Sequence, residues 1–282
     1  MLSKLQVAMP QLRLPQVEGI SRSVLYKRAV LKGDPINDDM LAAAGPLVSW
    51  EKPQAMTLWI ARHPTGAVPA LQTTSWNDFE QLARALAHRA EPTMLANGVH
   101  AQAASGLIHW GLIKRFGQQT RAKIIILHQS PYGSVNAADV SGGLSDFEWL
   151  AASTTLRLEH ELTHLATKRV LGEMRLNLLD ELIADCMGMV AALGTFEAKL
   201  FGRCLGININ PTESTTANRR WQSYTKELSP KQAVQALQLV MERAQELEAL
   251  LERNPVLLAP DQAMLRLRWL CSQKLDKAIE LI

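Results

Sequence analysis

Two histidines and a glutamate stand close together in the stretch His160-Glu161-Leu162-Thr163-His164. On a helix, residues four positions apart lie on one face about one turn from each other, so both imidazoles can converge on one metal ion. Glu161 lies one step around the helix, close enough to polarise a water molecule on that metal. The spacing therefore predicts a metal site with a carboxylate beside it.

The residues around this stretch predict one long helix that carries it. Ser145 and Glu148 form a capping box at its start, and Gly172 supplies a C-terminal stop. The helix is apolar on nearly every side, which predicts burial. Its back carries Phe147, Ala151, Leu158, Leu162 and Leu165. Burying two imidazoles and a carboxylate alone is unfavourable by several kcal/mol, so they need a metal or, as the alternative, ordinary hydrogen bonds in the core.

A second predicted helix, which begins after the N-cap Asn177 and runs to Gly194, brings two further carboxylates. Glu181 and Asp185 are four positions apart and share one face. Asp180 lies in the first turn of this helix, where an acid interacts favourably with the helix dipole. The same explanation applies in part to Glu181. Asp185 lies mid-helix in an apolar run, where an unpaired carboxylate is very unfavourable. We therefore predict that Glu181 binds the metal and that Asp185 holds one histidine through its free ring N–H.

The first helix carries His160-Glu161-x-x-His164, and the second carries Glu181-x-x-Ala184-Asp185-x-x-Gly188. Together these motifs resemble the gluzincin branch of the zinc metallopeptidases, the thermolysin and neprilysin type, over about fifty residues. The resemblance implies that His160, His164 and Glu181 bind zinc. It also implies that Glu161 is the general base and that Asp185 supports a ligand histidine.

The residue that would stabilise the oxyanion is where this chain departs from thermolysin-like enzymes. Those enzymes carry a histidine well downstream, whereas no histidine follows His164 here. Tyr224 is the only tyrosine beyond that point, and some gluzincin aminopeptidases use a tyrosine in this role. Tyr224 is therefore a candidate catalytic residue, and the position of a second electrophile is left open.

The residues and the resemblance predict zinc-dependent hydrolysis of peptide bonds. Zinc lowers the pKa of its bound water to about 7, and Glu161 takes the proton and returns it to the leaving amine. Two alternatives stay open: a zinc hydrolase of a non-peptide amide, and a zincin-fold binding protein without activity. A ferritin-like di-iron site is excluded, because it needs a second Glu-x-x-His and no histidine follows His164.

The composition limits partners and location. A net charge of +3 over 282 residues is too small to argue for nucleic acid or an anionic membrane as a partner. The three cysteines have no spacing pattern and predict reduced, buried thiols. With no secretory signal and no run of about 18 apolar residues, we predict a cytoplasmic enzyme or an injected effector that acts on peptides or proteins. Its oligomeric state is left open.

Four segments are predicted along the chain. Residues 1–45 form an N-terminal arm with one helix at 24–31, and residues 46–140 form a small sheet with helices. Residues 141–206 form the zinc-binding helical core, and residues 207–282 form a C-terminal helical region. The predicted fold is α/β, mainly helical and zincin-like. It has a small sheet packed on the active-site helix pair and a C-terminal helical hairpin.

The segment before the active-site helices is predicted to supply the sheet. Antiparallel strands are predicted at 47–50, 56–61 and 67–71, and helices at 76–90 and 101–116. Residues 123–127 are the clearest strand, too apolar to face solvent on either side. His128 and Tyr132 follow this strand and are candidates to face the metal, with a solvated loop as the alternative.

Overall fold

The computed structural model describes residues 1–17, 20–95, 98–173, 177–207 and 219–280, with the backbone alone for residues 20–22. Its helices are α1 (Leu2–Ala8), α2 (Ile20–Tyr26), α3 (Asp38–Ala44), α4 (Trp76–Ala87), α5 (Trp110–Phe116), α6 (Asp146–Leu171), α7 (Leu178–Leu193), α8 (Ala198–Leu205), α9 (Pro230–Arg253) and α10 (Ala263–Ser272). Its strands are β1 (Thr57–His63), β2 (Gly66–Thr73), β3 (Ala101–Leu107) and β4 (Ala122–His128). The fold is therefore mixed α/β and mainly helical, as predicted. Within the described ranges, every helix is too short or too polar to cross a membrane.

Two compact units divide the chain. The sheet unit comprises Met1–Arg62 and Ala67–Gln129, and the helical unit comprises His63–Gly66 and the chain from Ser130 onward. The division falls in the turn between β1 and β2 and again just after β4. All residues of the predicted metal site lie in the helical unit.

The sheet unit is built around a four-stranded sheet in the order β1-β2-β4-β3. β2 runs parallel to β4, with Ala70 opposite Ile125, and β3 runs antiparallel to it, with Ala103 opposite the same residue. The predicted apolar strand is confirmed, since residues 124–127 of β4 are all buried. The strands predicted at 56–61 and 67–71 are confirmed as the neighbouring strands β1 and β2. The sheet as a whole is mixed, because β4, which comes from a distant part of the chain, pairs parallel with β2. Residues 47–50, predicted as a strand, do not form one.

Residues 101–107, predicted as the first part of a helix, form the edge strand β3. Pairing with β4 satisfies the backbone hydrogen bonds of this run of small residues. In addition, Gly106 has a φ of +72°, which is incompatible with a continuous α-helix. Helix α5 begins only at Trp110, where the side chain of His109 accepts a hydrogen bond from the Leu112 N–H at 3.1 Å. His109 is therefore the N-cap of α5.

The N-terminal segment is more helical than its prolines indicate. Residues 1–45 contain α1, α2 and α3, where the sequence predicts one helix. Leu12 and Leu14 are fully buried, so the segment packs within the sheet unit. These helices are seven residues long, which is too short for a clear apolar period in the sequence.

Helices α6 and α7 pack against each other in the helical unit. The capping box of Ser145 and Glu148 begins α6, and Gly172 ends it in the left-handed conformation. The N-cap Asn177 begins α7, and Gly194 ends it, also left-handed. Both helices are therefore confirmed with their predicted boundaries.

The start of α6 is exposed, against the prediction that the whole helix is buried. Phe147 is 81% exposed and Ala151 is exposed as well. Further along the helix Leu162 is buried, while Leu158 and Leu165 are half-buried. A helical wheel indicates which residues share a face, but not how far along the helix its neighbours extend.

Gly188 of α7 marks a close approach of the two central helices. A Cβ at this position would lie 2.7 Å from the carbonyl oxygen of Leu156 in α6, which is less than a van der Waals contact. We expect Gly188→Ala to lower the free energy of unfolding by about 1–3 kcal/mol, the usual effect of overpacking. Denaturant unfolding measures this change. An unchanged midpoint would contradict the close packing of α6 on α7.

The two C-terminal helices pack mainly on other helices rather than on each other. α9 begins at a capping box of Ser229 and Gln232. It packs on α7 and α8, whereas α10 packs on α6 and α7. α10 ends at Ser272. The predicted hairpin is therefore wrong in its packing, because the apolar faces of both helices cover the central pair.

Candidate metal centre

Two histidines of α6 and one glutamate of α7 converge in the helical unit. His160 Nε2 lies 3.0 Å from His164 Nε2, and these atoms lie 3.6 Å and 3.3 Å from the carboxylate oxygens of Glu181. All three side chains are buried. Among the described residues, they form the group of potential ligand atoms that lie within 4.8 Å of one another. The predicted ligands are thus brought together and could hold a metal ion.

The separations of these atoms suit a small ion with four ligands. Two atoms that each lie about 2.0–2.1 Å from a tetrahedral ion are about 3.3–3.4 Å apart. The two nitrogens lie 3.0 Å apart, and the contacts of 3.3 Å and 3.6 Å join them to different oxygens of Glu181, Oε1 and Oε2, so all three separations are close to that value. Three protein ligands leave the fourth position of such an ion for water or substrate.

The outer nitrogen of each histidine contacts a carboxylate, which fixes the tautomer. His160 Nδ1 lies 2.7 Å from Asp185 Oδ1, and His164 Nδ1 lies 2.7 Å from Asp180 Oδ2. A carboxylate can only accept, so each Nδ1 carries the hydrogen and each neutral ring directs the lone pair of Nε2 inward. Two lone pairs and a carboxylate then face one another within a buried space. These electron-rich groups repel one another, and a cation between them would relieve the repulsion.

Asp185 has the predicted role, and Asp180 has the same role although it was assigned to the helix dipole. Both are buried, with side-chain exposures of 0% and 2%. Their spacing of five residues in α7 places one carboxylate against each histidine of α6. The helix-dipole explanation of Asp180 is therefore incomplete. A first-turn acid that is also buried needs a partner, and His164 is that partner.

The charges around the centre favour a divalent cation. Asp180, Glu181 and Asp185 bring three negative charges, and Arg220 brings one positive charge through its ion pair of 2.8 Å with Glu181. With both histidines neutral, the group has a net charge of −2, which a dication neutralises. Without one, protons compensate instead. Burial lowers the pKa of His164, but hydrogen bonds to Asp180 and Glu181 outweigh burial and raise the pKa to about 10.

The ligand carboxylate of Glu181 stays ionised although it is buried. Burial raises its pKa, but the charges of His160 and Arg220 and a hydrogen bond to His164 outweigh burial and lower the pKa below its usual range. Arg220 itself keeps its charge. Burial lowers the pKa of the guanidinium, and the neighbouring Tyr132, Asp185 and Glu181 raise it well above the usual value. An ionised carboxylate is the form that binds a metal.

Tyr132 reaches the centre from the loop after β4, as the sequence allowed. Its hydroxyl donates a short hydrogen bond to Asp185 Oδ1 and lies 3.0 Å from His160 Nδ1. Burial is the largest cause that raises the pKa of this hydroxyl well above its usual value, so the group keeps its proton. Tyr132 thus orients the carboxylate that orients His160. His128, the other candidate, lies in the sheet unit, where its Nδ1 is 2.8 Å from Nδ1 of His100.

Arg220 was missed as a site residue, and Tyr224 lies beside the centre. Arg220 follows the chain segment 208–218, which lies outside the described residues. It pairs with Glu181 and donates to the hydroxyl of Tyr132 at 3.1 Å. The side chain of Tyr224 is within hydrogen-bonding reach of Glu181 and Arg220, and burial is the main cause that raises its pKa. Its role with an oxyanion stays a prediction.

Glu161, the predicted base, lies next to the first candidate ligand on α6 and is not itself a member of the ligand group. Its side chain is half-buried on α6, one residue from His160. Its charge acts on His164, whose pKa it raises, and on Arg157, whose pKa it raises against the effect of burial. Glu161 therefore lies within electrostatic range of the ligand group and keeps access to solvent.

Replacing either outer carboxylate tests how the histidines are held. We expect Asp185→Asn and Asp180→Asn each to weaken metal binding by about 10- to 100-fold while the fold is kept. The amide preserves size but no longer increases the basicity of the imidazole. Competition with a zinc chelator measures the affinity. Asp261→Asn, at an exposed acid far along the chain, is the control and should leave the affinity unchanged. Equal affinities in all variants would contradict the assignment.

The fold and the site define a mainly helical α/β protein with a buried group of two histidines and a glutamate that could hold a metal ion. The chain belongs to the family of unknown function DUF7005, which matches residues 1–123 and 118–280. No curated protein matches the chain. No solved structure matches it either.

Proposed function

We propose that this protein is a zinc-dependent hydrolase that cleaves peptide bonds, with a metal centre of the gluzincin type. The observation that carries the proposal is the convergence of His160, His164 and Glu181, with Glu161 on the same helix as the two histidines. A cluster of histidines and a glutamate that only stabilised the fold would need no carboxylate at position 161. A hydrolase does need one, because a base must take a proton from the attacking water.

Zinc is the metal that the ligand set favours. Imidazole and carboxylate together suit zinc, and two histidines with one glutamate are a known ligand set of catalytic zinc sites. Sites for magnesium and calcium are built from oxygen ligands. The two carboxylates behind the histidines, Asp185 and Asp180, add the outer support that zinc-binding imidazoles usually have.

Each residue of the centre has a separate task in the proposed reaction. A bound zinc ion would supply a Lewis acid and lower the pKa of water to about 7. His160, His164 and Glu181 would hold that ion, and Glu161 would take the proton of the attacking water and pass it to the leaving amine. Tyr224, beside Glu181, would donate a hydrogen bond to the oxygen that gains negative charge.

Two other functions follow from weaker readings of the same site. The same residues would serve in hydrolysis of a non-peptide amide, because the chemistry at the carbonyl is the same. A binding protein without activity would not need the half-buried carboxylate of Glu161 beside the ligands. The buried thiols Cys186 and Cys204 suit a reducing compartment such as the cytoplasm, where we propose that the enzyme acts.

A cleavage assay tests the proposal. The full chain is loaded with zinc and incubated with a broad mixture of peptides, and the products are identified by mass spectrometry. We expect new peptide termini that are absent after treatment with a chelator and return when zinc is restored. Zinc bound at one ion per chain with no cleavage of any peptide would contradict the peptidase proposal and favour a non-peptide amide or a binding function.

A further inference from the structure

A polar cavity lies in the sheet unit, whereas the residues of the proposed metal centre belong to the helical unit. It has a volume of about 550 Å³, within the usual range for sites that bind small molecules. It is enclosed by the end of α2, the chain after α4, and the ends of β3 and β4 that lie away from His128. Its polar and charged lining residues include Gln11, Tyr26, Lys27, Arg89, Glu91 and Arg121.

The charged residues of this cavity are mainly basic. Lys27, Arg89 and Arg121 line it, whereas Glu91 is its one acid among the described residues. Arg121 donates to two backbone carbonyl oxygens, those of Gln118 and Thr120. Both of these partners are neutral carbonyl groups, so neither bond supplies a counter-charge. Three cations in one concave surface create a positive potential that attracts an anion.

The backbone and the inner wall of the cavity show two further unusual features. Arg89 and Ala90 have φ values of +55° and +61°, although neither residue is glycine. This left-handed turn carries Arg89 to the cavity directly after α4, and it is the kind of backbone strain that clusters at ligand sites. Gln11, which is 1% exposed, lies on the wall, and its Oε1 has no hydrogen-bond partner among the described residues. A buried amide oxygen without a partner is uncommon.

We propose that this cavity binds a small phosphorylated organic molecule. A phosphate monoester carries about −1.5 to −2 charges near neutral pH and three acceptor oxygens, which matches three cationic side chains better than a monocarboxylate does. Lys27, Arg89 and Arg121 contact the phosphate. Phosphate alone would fill only a small part of the volume, so the organic portion occupies the rest, beside Tyr26 and Gln11. The site is independent of the proposed metal centre.

Calorimetric titration of the full chain tests this proposal with three probes: inorganic phosphate, pyrophosphate and ribose 5-phosphate. We expect saturable binding, tightest for ribose 5-phosphate, that weakens as ionic strength rises. Lys27→Gln and Arg121→Gln should each weaken binding by about tenfold, because each removes one charge-assisted contact. Arg115→Gln is the matched control. It removes an exposed arginine of the same unit, which lies over the ring of Phe116 at 5.1 Å and outside the cavity, and should leave binding unchanged.

Several results would overturn the proposal. Absence of saturable binding for all three probes would overturn it. Equal weakening of probe binding by Arg115→Gln and Arg121→Gln would also overturn it, because it would indicate a general charge effect. The variant His164→Ala separates this site from the proposed metal centre, because phosphates also bind zinc. Binding that disappears in His164→Ala would assign the anion to the metal centre and exclude the cavity. Binding that survives in that variant supports the cavity, whether or not the peptidase proposal holds.

Discussion

Replacing His164 by alanine is expected to remove nearly all of the bound metal from the purified protein. The wild type is expected to carry about one zinc ion per chain, because the three candidate ligands form one catalytic-type site. His164 is one of the three candidate ligands. Its loss leaves two, and the effect should exceed the about 10- to 100-fold expected from removing an outer carboxylate. Elemental analysis after zinc loading and dialysis measures the difference.

The structure supplies two controls for this variant. Removing the imidazole also leaves the buried Asp180 without its partner, which lowers stability. His164→Gln, whose amide can still donate to Asp180, is therefore measured beside His164→Ala. His88→Ala removes a histidine of the sheet unit that has no proposed role. Wild type and His164→Ala that are equally free of zinc after loading would contradict the metal site.

Glu161→Gln is expected to abolish most peptide cleavage without loss of zinc. Glutamine keeps the size and the hydrogen-bonding reach of glutamate, but it cannot accept a proton near neutral pH. Loss of general-base catalysis lowers a rate by about 10²- to 10⁴-fold. The half-buried position of Glu161 predicts little change in the melting temperature, which a structural glutamate would affect instead. Cleavage rate, zinc content and thermal unfolding are measured on the same preparation.

Glu159→Gln on the same helix is the matched control for this substitution. Glu159 is also half-buried and contacts His63 at 3.3 Å, away from the ligand group. It should keep its cleavage rate within a few fold, because Glu159 is not a member of the candidate ligand group. Cleavage by Glu161→Gln at the wild-type rate would show that the base has been assigned wrongly.

The sequence was sufficient for the helix pair that holds the centre, because the signals there are local. The capping box at Ser145, the stops at Gly172 and Gly194, and the N-cap Asn177 fix both helices within one residue. Once the helices are fixed, spacings of four place the ligands on one face of each. The convergence of the two faces then follows from burial, since neither histidine nor carboxylate is stable alone in an apolar core.

The contacts that the sequence did not reveal join residues far apart in the chain. Arg220 pairs with Glu181 across 39 positions, and no local pattern distinguishes it from the neighbouring Arg219. Asp180 has a sufficient local explanation in the helix dipole, so the sequence alone does not indicate its partner His164. A first-turn acid followed directly by a predicted ligand was the one available signal. Similarly, β3 is a strand only because β4 pairs with it, which residues 101–107 do not encode.

The measurement that tests the central claim most directly is X-ray absorption at the zinc edge on the zinc-loaded wild-type protein. We expect one ion per chain, with about four nitrogen and oxygen neighbours at about 2.0–2.1 Å and the scattering pattern of two imidazoles. The three cysteines should contribute no sulfur neighbour, since Cys186, Cys204 and Cys271 are buried thiols outside the ligand group. A shell containing sulfur at about 2.3 Å, or a shell without imidazole, would contradict a centre built from His160, His164 and Glu181.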